Sequence, residues 1–333
     1  MPFNKDMSTL YPLKFTPVLK EKIWGGNKIE TILKHKISPL KNCGESWEVS
    51  GIVDDESVVA NGFLAENNLN ELMEIYLTDL VGEKNYEKYG LGFPLLIKFI
   101  DAQDNLSVQV HPDDDFAQEH YGQNGKTEMW HVIQADEGAG LYVGFNQKIT
   151  AQQYLDAVEN GTLENYLKFY PVTSGDTFMI PAGTVHAIGK GVLLAEIQQP
   201  SDITFRIYDW NRVDDQGNSR ELHTEEAFDA IHSEQNLSDF QVHYEHEMNK
   251  TVTLVHSPYF NTNLLEMDMQ VQKSFVNLDS FVIYICLEGS AFLVSDSFKE
   301  RLETGEVVLV PAEIDQLQII PDPKAKLLEV YCS

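Results

Sequence analysis

Two stretches of the chain, Ser174–His186 (SGDTFMIPAGTVH) and Thr304–Gln316 (TGEVVLVPAEIDQ), align without a gap, and this repeat limits the folds available to the whole. Gly175 falls on Gly305, Pro181 on Pro311 and Ala182 on Ala312, with β-prone apolar residues between. Each copy reads as a turn, a short strand and a second turn. Upstream, Glu137-Gly138 matches Glu288-Gly289, each followed by an apolar run. A unit repeated within one chain implies two related bodies. The rest of the sequence agrees with β-bodies, since short apolar runs are punctuated by Gly, Pro, Asn and Asp, as in a sandwich or barrel. Strands are predicted at Ser46–Gly51, Leu95–Ile100, Ser107–His111, Glu128–Gln134, Thr177–Ile180, Leu193–Gln198 and Ile203–Tyr208.

Few helices are predicted. Leu69, Leu72, Met73, Tyr76, Leu77 and Leu80 recur with helical period, which predicts a helical element at about 64–81. A second, at about 150–168, begins at Thr150, where Thr-Ala-Gln-Gln has the spacing of a capping box. It would bury Tyr154, Leu155 and Val158, pause at Asn160-Gly161, and continue through Leu163, Tyr166 and Leu167. A short acidic helix after Thr224 leads into a polar stretch, His232–Lys250. The expected fold is therefore mainly β, with one domain at 1–245 and another at 250–333.

Charge narrows the partners. Lys plus Arg number 24 against 52 Asp plus Glu, a net charge of −28. Such a surface repels phosphodiester backbones and anionic lipid, so neither nucleic acid nor a membrane is an expected partner. No apolar run approaches the length of a membrane span, and Met1–Phe15 shows no apolar core of a secretory leader. Cys43, Cys286 and Cys332 are far apart and in no CxxC pattern, which fits reduced thiols in a cytoplasm.

Only the first copy of the repeat has a histidine at its end, His186, where the second has Gln316. Ser107, Gln109 and His111 alternate along one predicted strand and so share a face. Lys126 and Glu128 likewise share a face in Gly125–Trp130. His111, Glu128 and His186 form a set of two imidazoles and one carboxylate, with Gln109 available as a fourth donor. That set suits zinc and leaves room for substrate. It would also suit Fe(II) or Mn(II).

The segment Gly175-x5-Pro181-x-Gly183-x2-His186 resembles the second motif of the cupin superfamily. The resemblance implies two cupin-type jelly-roll β-barrels with a few short helices. Further segments narrow it: Trp24-Gly-Gly26, Gly44-Glu-Ser-Trp-Glu48, Pro94–Lys98, Leu106–Asp113 (LSVQVHPD), Gly125–Trp130 (GKTEMW), Pro181–Ala187 (PAGTVHA) and Glu196–Arg206 (EIQQPSDITFR). In order and spacing, over about residues 10–215, they resemble the type I mannose-6-phosphate isomerases of the short bacterial kind. The C-terminal part resembles that family's metal-free second barrel more weakly. The resemblance implies reversible interconversion of mannose 6-phosphate and fructose 6-phosphate through an enediol. It also implies one Zn2+ per chain on Gln109, His111, Glu128 and His186, and Arg206 as the catalytic arginine. The long helical insertion of larger members, between the ligands matching Glu128 and His186, has no room here.

Aldose–ketose isomerisation needs polarised substrate oxygens, a group that moves the carbon-bound proton, and cations for the phosphate and the developing enediolate. A metal on the three ligands would answer the first need. Arg206 would share a strand face with Asp202 and Thr204, which places it to stabilise charge. For the proton, Lys126, Glu196 and Asp202 remain open; Lys126 stands two residues from a metal ligand, where a nearby cation lowers its pKa. Lys98, on an apolar strand, and Ser107 are expected to bind substrate, as are Trp24 and Glu48, for which packing is the alternative. Two readings of other classes stand beside this one, a non-catalytic double barrel that senses metal or sugar phosphate and an Fe(II) oxygenase. Gln109, where a first histidine would stand, argues against the latter.

Overall fold

Short β-prone apolar runs between turn residues make strands, the central ones, such as Leu96–Asp101 and Val192–Gln198, buried along their whole length. The computed structural model pairs them into three antiparallel sheets. It describes residues 10–213, 216–232, 235–295 and 298–332; the first nine, read above for a leader, lie outside the described residues. The strands predicted from sequence form within a few residues of expectation, at Glu45–Val49, Leu96–Asp101, Val108–Val110, Glu128–Ala135, Thr177–Ile180, Val192–Gln198 and Phe205–Tyr208.

Two compact units result. One takes Val18–Ile52 and Leu95–His243; the other takes the chain up to Pro17, Val53–Pro94, and everything from Tyr244 on. This differs from the expected division at 1–245 and 250–333, because two N-terminal pieces join the C-terminal unit. The cause is strand pairing. Leu13–Thr16 pairs with Val307–Val310 on one side and with Val58–Val59 on the other. Which partner a strand finds is a long-range matter that its own alternation does not record.

In the first unit a seven-stranded sheet runs in the order Gln241–Val242, Thr177–Ile180, Glu128–Ala135, Val192–Gln198, Leu96–Asp101, Glu45–Val49, Val18–Lys20. A five-stranded sheet runs Phe205–Tyr208, Val108–Val110, His186–Ile188, Gly140–Phe145, Leu167–Pro171. Trp130, Val132, Phe178 and Leu194 of the large sheet share one core with Leu141, Val143 and Ile188 of the small one, so the sheets pack face to face in the jelly-roll manner. The outer face of the small sheet is covered by the helices Ala151–Glu159 and Thr224–Ala230, through Tyr154, Ala157, Ala227 and Ala230.

The predicted helices form in part. Thr150 and Gln153 cap the Ala151–Glu159 helix reciprocally. Its buried stripe is Tyr154 and Ala157, however, and Leu155 lies 43% exposed. Beyond Asn160 the chain makes only a 3-10 turn, Leu163–Tyr166, before the strand Leu167–Pro171. The 64–81 element is two pieces, Leu69–Tyr76 and Thr78–Val81, broken at Leu77, whose φ of +47° no α-helix accommodates. The first begins at Asn68, which forms a capping box with Glu71.

The second unit is built on a nine-stranded sheet. Its repeat copy takes the expected form, because Val307–Val310 occupies the aligned position of Thr177–Ile180. Gly175 and Gly305 have φ of +97° and +87°, and Gly138 and Gly289 have +77° and +79°, a region glycine enters without a Cβ clash. Gln316, opposite His186 in the repeat, points to solvent, and the following Leu317 fills the interior. All three cysteines are buried and unpaired. No helix among the described residues is long and apolar enough to cross a membrane.

Candidate metal centre

Cross-strand register places the site before any side chain is considered. In the large sheet Trp47, Lys98, Glu196, Trp130 and Phe178 are successive direct partners, so they share the inner face. One step along the strands, Gln198, Glu128 and Ile180 form a second row. In the small sheet Arg206, Gln109, His186 and Val143 are partners in one row. His111, two residues beyond Gln109, shares its face.

These rows meet inside the barrel. His111 and His186 each direct Nδ1 at a backbone carbonyl, of Ile203 and Thr184 respectively, at 2.8 Å. A carbonyl only accepts, so Nδ1 carries the proton and Nε2 of each ring presents a lone pair inward. The two Nε2 atoms lie 3.5 and 3.4 Å from the Glu128 carboxylate oxygens. The three ligand atoms lie within 4.8 Å of one another. Burial pushes the His186 imidazole down to about 3 and holds His111 well below its usual range, so both rings are neutral. Glu128 is fully buried and neither of its oxygens has a hydrogen-bond partner. Its carboxyl is pushed up to about 8, first by burial and then by the charge of Glu196, against Lys126 and Lys98. Two unprotonated imidazole nitrogens and a buried carboxylate without a hydrogen-bond donor fit a divalent cation. Gln109 Nε2 lies 3.4 and 3.2 Å from the two imidazole nitrogens, and turning the amide over presents Oε1 in its place.

Two ammonium groups border this set. Lys126 Nζ is 3.4 Å from Glu128. Its pKa is raised: burial opposes this, but Glu128, Glu196 and Glu45 outweigh burial. Lys98 Nζ is 3.5 Å from Glu196 and 4.8 Å from the centre of the Trp47 ring; burial and Lys126 lower its pKa. With Glu45, Glu128 and Glu196 ionised, Lys98, Lys126 and Lys22, the last paired with Glu45, balance them. A divalent cation would therefore make the cluster positive, which suits an anionic substrate.

Backbone contacts fix this border. Thr127 and Gln199 exchange hydrogen bonds, the Thr127 N–H donating to Gln199 Oε1 at 2.8 Å and the Gln199 N–H to the Thr127 carbonyl at 3.1 Å. The Ala182 N–H donates to Thr127 Oγ1 at 3.2 Å. The turn before His186, the loop after Gln198 and the entry to the Glu128 strand are thereby tied together.

The structure brings together Gln109, His111, Glu128, His186, Lys126, Lys98 and Glu196. Arg206 is beside Gln109 in register, with its Nη1 donating to the Glu221 carbonyl at 2.9 Å and its buried Nε without a partner. Ser107 is buried two residues before Gln109. Asp202 is not among them. The strand starts only at Phe205, so the shared face expected for Asp202 and Arg206 does not extend that far, and Asp202 is exposed. Trp24 is a core residue packed with Ile100, Ala102 and Leu106. Glu48 also faces elsewhere. A bulge between Trp47 and Val49 displaces it, and its carboxylate accepts from Ser46 Oγ and lies 3.5 Å from His35 Nδ1.

Glu45, in step with Trp47 opposite Lys98, is the carboxylate of this strand on the inner face. Its Oε2 accepts from Trp47 Nε1 at 2.7 Å, and Lys22 Nζ is 3.1 Å from its other oxygen. Burial opposes its ionisation, but Lys98 and Lys22 outweigh burial and hold the carboxyl at about 2. The motif Gly44–Glu48 contains it, and parity with Trp47 opposite Lys98 was the signal that could have selected it.

The family model for the type I phosphomannose isomerase catalytic domain matches residues 12–140, and that for the mannose-6-phosphate isomerase cupin domain matches 250–331. Mannose-6-phosphate isomerase ManA of Bacillus subtilis is 34% identical over 93% of this chain and 96% of its own. The mannose-6-phosphate isomerase of Streptococcus mutans is 35% identical over the same shares. The crystal structure of the mannose 6-phosphate isomerase from Bacillus subtilis superposes with a TM-score of 0.86 at 31% identity, covering 96% of this chain and 99% of that one.

Proposed function

Because the chain belongs to the type I phosphomannose isomerase family, we infer that its metal-binding barrel interconverts mannose 6-phosphate and fructose 6-phosphate around one zinc ion held by His111, Glu128 and His186, with Gln109 as fourth ligand. The observation that carries the metal is the buried Glu128 carboxylate, without a hydrogen-bond donor, facing two unprotonated imidazole nitrogens. Zinc bound there supplies Lewis acidity to the substrate's carbonyl and hydroxyl oxygens.

The chain's own residues do the rest. Lys126 carries the proton between C2 and C1, taking it from C2 of the aldose and returning it to C1 of the enediol. Its pKa is raised only by the carboxylates around it, Glu128 first, so a cation that neutralises Glu128 would let burial bring Lys126 down toward the free amine that accepts the proton. Arg206, in the row of Gln109 and His186, meets the charge that develops on the enediolate oxygens. Lys98 and Ser107 hold the anionic sugar phosphate from the barrel wall, with Glu196 and then Glu45 favouring the charged form of Lys98 against burial and Lys126. Three buried unpaired thiols support a cytoplasmic setting.

Stripping metal with a chelator, then titrating zinc while following fructose 6-phosphate formation and bound metal, tests this reading. One equivalent per chain should restore turnover, and His186→Ala should bind none tightly. Two tight equivalents, or full turnover in stripped protein, would refute it.

A further inference from the structure

The two units repeat more than their turns. In the second unit the sheet order Leu13–Thr16, Val307–Val310, Val282–Val294, Gln316–Tyr331, Asn261–Met267, Thr251–His256 follows the order of the large sheet in the first. The registers match as well. Phe178 pairs with Trp130, and the aligned Val308 pairs with Tyr284. Trp130 then pairs with Glu196 and Glu196 with Lys98, just as Tyr284 pairs with Glu329 and Glu329 with Asn263.

Chemistry follows register. Trp130 Nε1 donates to Glu196 Oε2 at 2.8 Å, with Lys98 Nζ 3.5 Å from the other oxygen. Tyr284 Oη donates to Glu329 Oε2 at 2.6 Å, and Asn263 Nδ2 donates to the other oxygen at 3.0 Å. Asparagine provides no charge, and Lys273 brings it from another strand, 2.6 Å from Glu329. Each barrel thus has a buried glutamate held by one aromatic donor and one cation, though the donors themselves have changed. The second barrel has Val282 where the first has Glu128, and no candidate metal cluster among the described residues. An arrangement rebuilt with new donors where no metal ligands remain is there to hold the barrel wall. A buried carboxylate stripped of donors is costly, which is reason enough to keep it.

We propose that Glu196 is a positioning residue of the isomerase and not its proton carrier: it fixes the Trp130 indole, whose ring lies edge-on to His186 at 5.3 Å, and so sets the orientation of a metal ligand. Lys126 has no such counterpart; its place in register, two residues before Val282, belongs to Ser280. This assignment rests on the isomerase reading above and removes one of its candidates for the proton.

Zinc affinity, measured by competition with a chelator, and the pH profile of kcat test it together. Glu196→Gln keeps an acceptor for the indole, so kcat should fall less than about tenfold with both limbs of the pH profile retained. Glu196→Ala and Trp130→Phe should each weaken zinc binding by about 10–100-fold, the scale for groups that orient a metal ligand, and the double variant should lose little more than either. Glu329→Ala, the same deletion in the other barrel, should lower thermal stability while leaving zinc affinity and kcat as they are. A 10³-fold loss of kcat in zinc-loaded Glu196→Gln, with loss of solvent exchange at C2 or of one limb of the profile, would overturn the proposal. So would unchanged zinc affinity in Glu196→Ala; should that variant not fold, Trp130→Phe and Glu196→Gln decide the question. Metal-independent turnover by the wild-type protein would instead strike the underlying reading of the site.

Discussion

Glu128→Gln, made to destroy the metal site, should stabilise the chelated protein at neutral pH. In the barrel the Glu128 carboxyl titrates at about 8 because it is buried and faces Glu196; in an unfolded chain it titrates near 4.5. Between those values the folded protein binds the proton and the unfolded chain does not, so stability falls as pH rises. The loss is about 1.4 kcal/mol per pH unit, about 3 kcal/mol by pH 7. Glutamine avoids that cost but buries an amide without partners, which takes back about 1–2 kcal/mol. The variant should therefore be the less stable protein near pH 5 and the more stable by about 1–2 kcal/mol at pH 7, with the gap widening to a ceiling above pH 8. Trp24, Trp47, Trp130 and Trp210, the four tryptophans of the chain, all lie in the metal-binding unit, so tryptophan fluorescence in urea reports that unit. With saturating zinc the order should reverse, since the wild-type native state alone gains binding energy. A gap that does not change with pH, or a variant less stable at pH 8 in chelator, would refute the account of Glu128.

Lys126→Ala should lower kcat by about 10²–10⁴ with little change in KM and abolish solvent exchange at C2; a raised KM with kcat preserved would make Lys126 a phosphate ligand instead. Arg206→Ala should lower kcat and kcat/KM together by about 10²–10³, and Arg206→Lys should recover little, because a point charge does not reproduce a planar fork. Near-normal kcat in the folded Arg206→Ala protein would remove it from the mechanism. Glu45→Gln should cost about 3 kcal/mol at pH 7, because its carboxyl is held at about 2 by Lys98 and Lys22 against burial. The depressed value means this stability is present above about 4.5 and lost as pH falls through about 2, so the gap between wild type and variant should shrink to roughly a quarter by about pH 2.5; an undiminished gap there would argue against the assignment.

Glycines and prolines made the repeat legible, because a positive φ at Gly175 and Gly305 restricts residue choice whatever surrounds them. Short apolar runs bounded by turn residues made the strands legible, and the capping box at Thr150 the start of its helix. The unit borders were not, since the residues of Leu13–Thr16 do not say that Val307–Val310 is their partner. The helix expected at 64–81 starts only at Leu69 and breaks at Leu77, whose apolar side chain kept the period while its backbone left the helix.

The candidate metal set was visible because its members sit on or at the ends of short strands. Gln109 lies within Val108–Val110, His111 immediately follows that strand, and Glu128 and His186 each open one. The substrate wall was harder to read, for one physical reason. Between Trp47 and Val49 the Glu45–Val49 strand carries an extra residue, and beyond a bulge every side chain changes face relative to the count. A reader counting alternate positions can choose Glu48, the more enclosed by apolar sequence, when the partner of Lys98 on the inner face is Trp47 and the carboxylate in step with it is Glu45. The loop at Asp202 fails in the related way: alternation extended past the strand's end assigns a face to residues that have none. Parity alone therefore does not identify the site. His111 lies just past the end of Val108–Val110 and still meets Glu128 and His186, because its Nδ1 is fixed on the Ile203 carbonyl. Glu48, by contrast, is turned to Ser46 and His35 at a bulge, and Asp202 is exposed in the loop before Phe205–Tyr208.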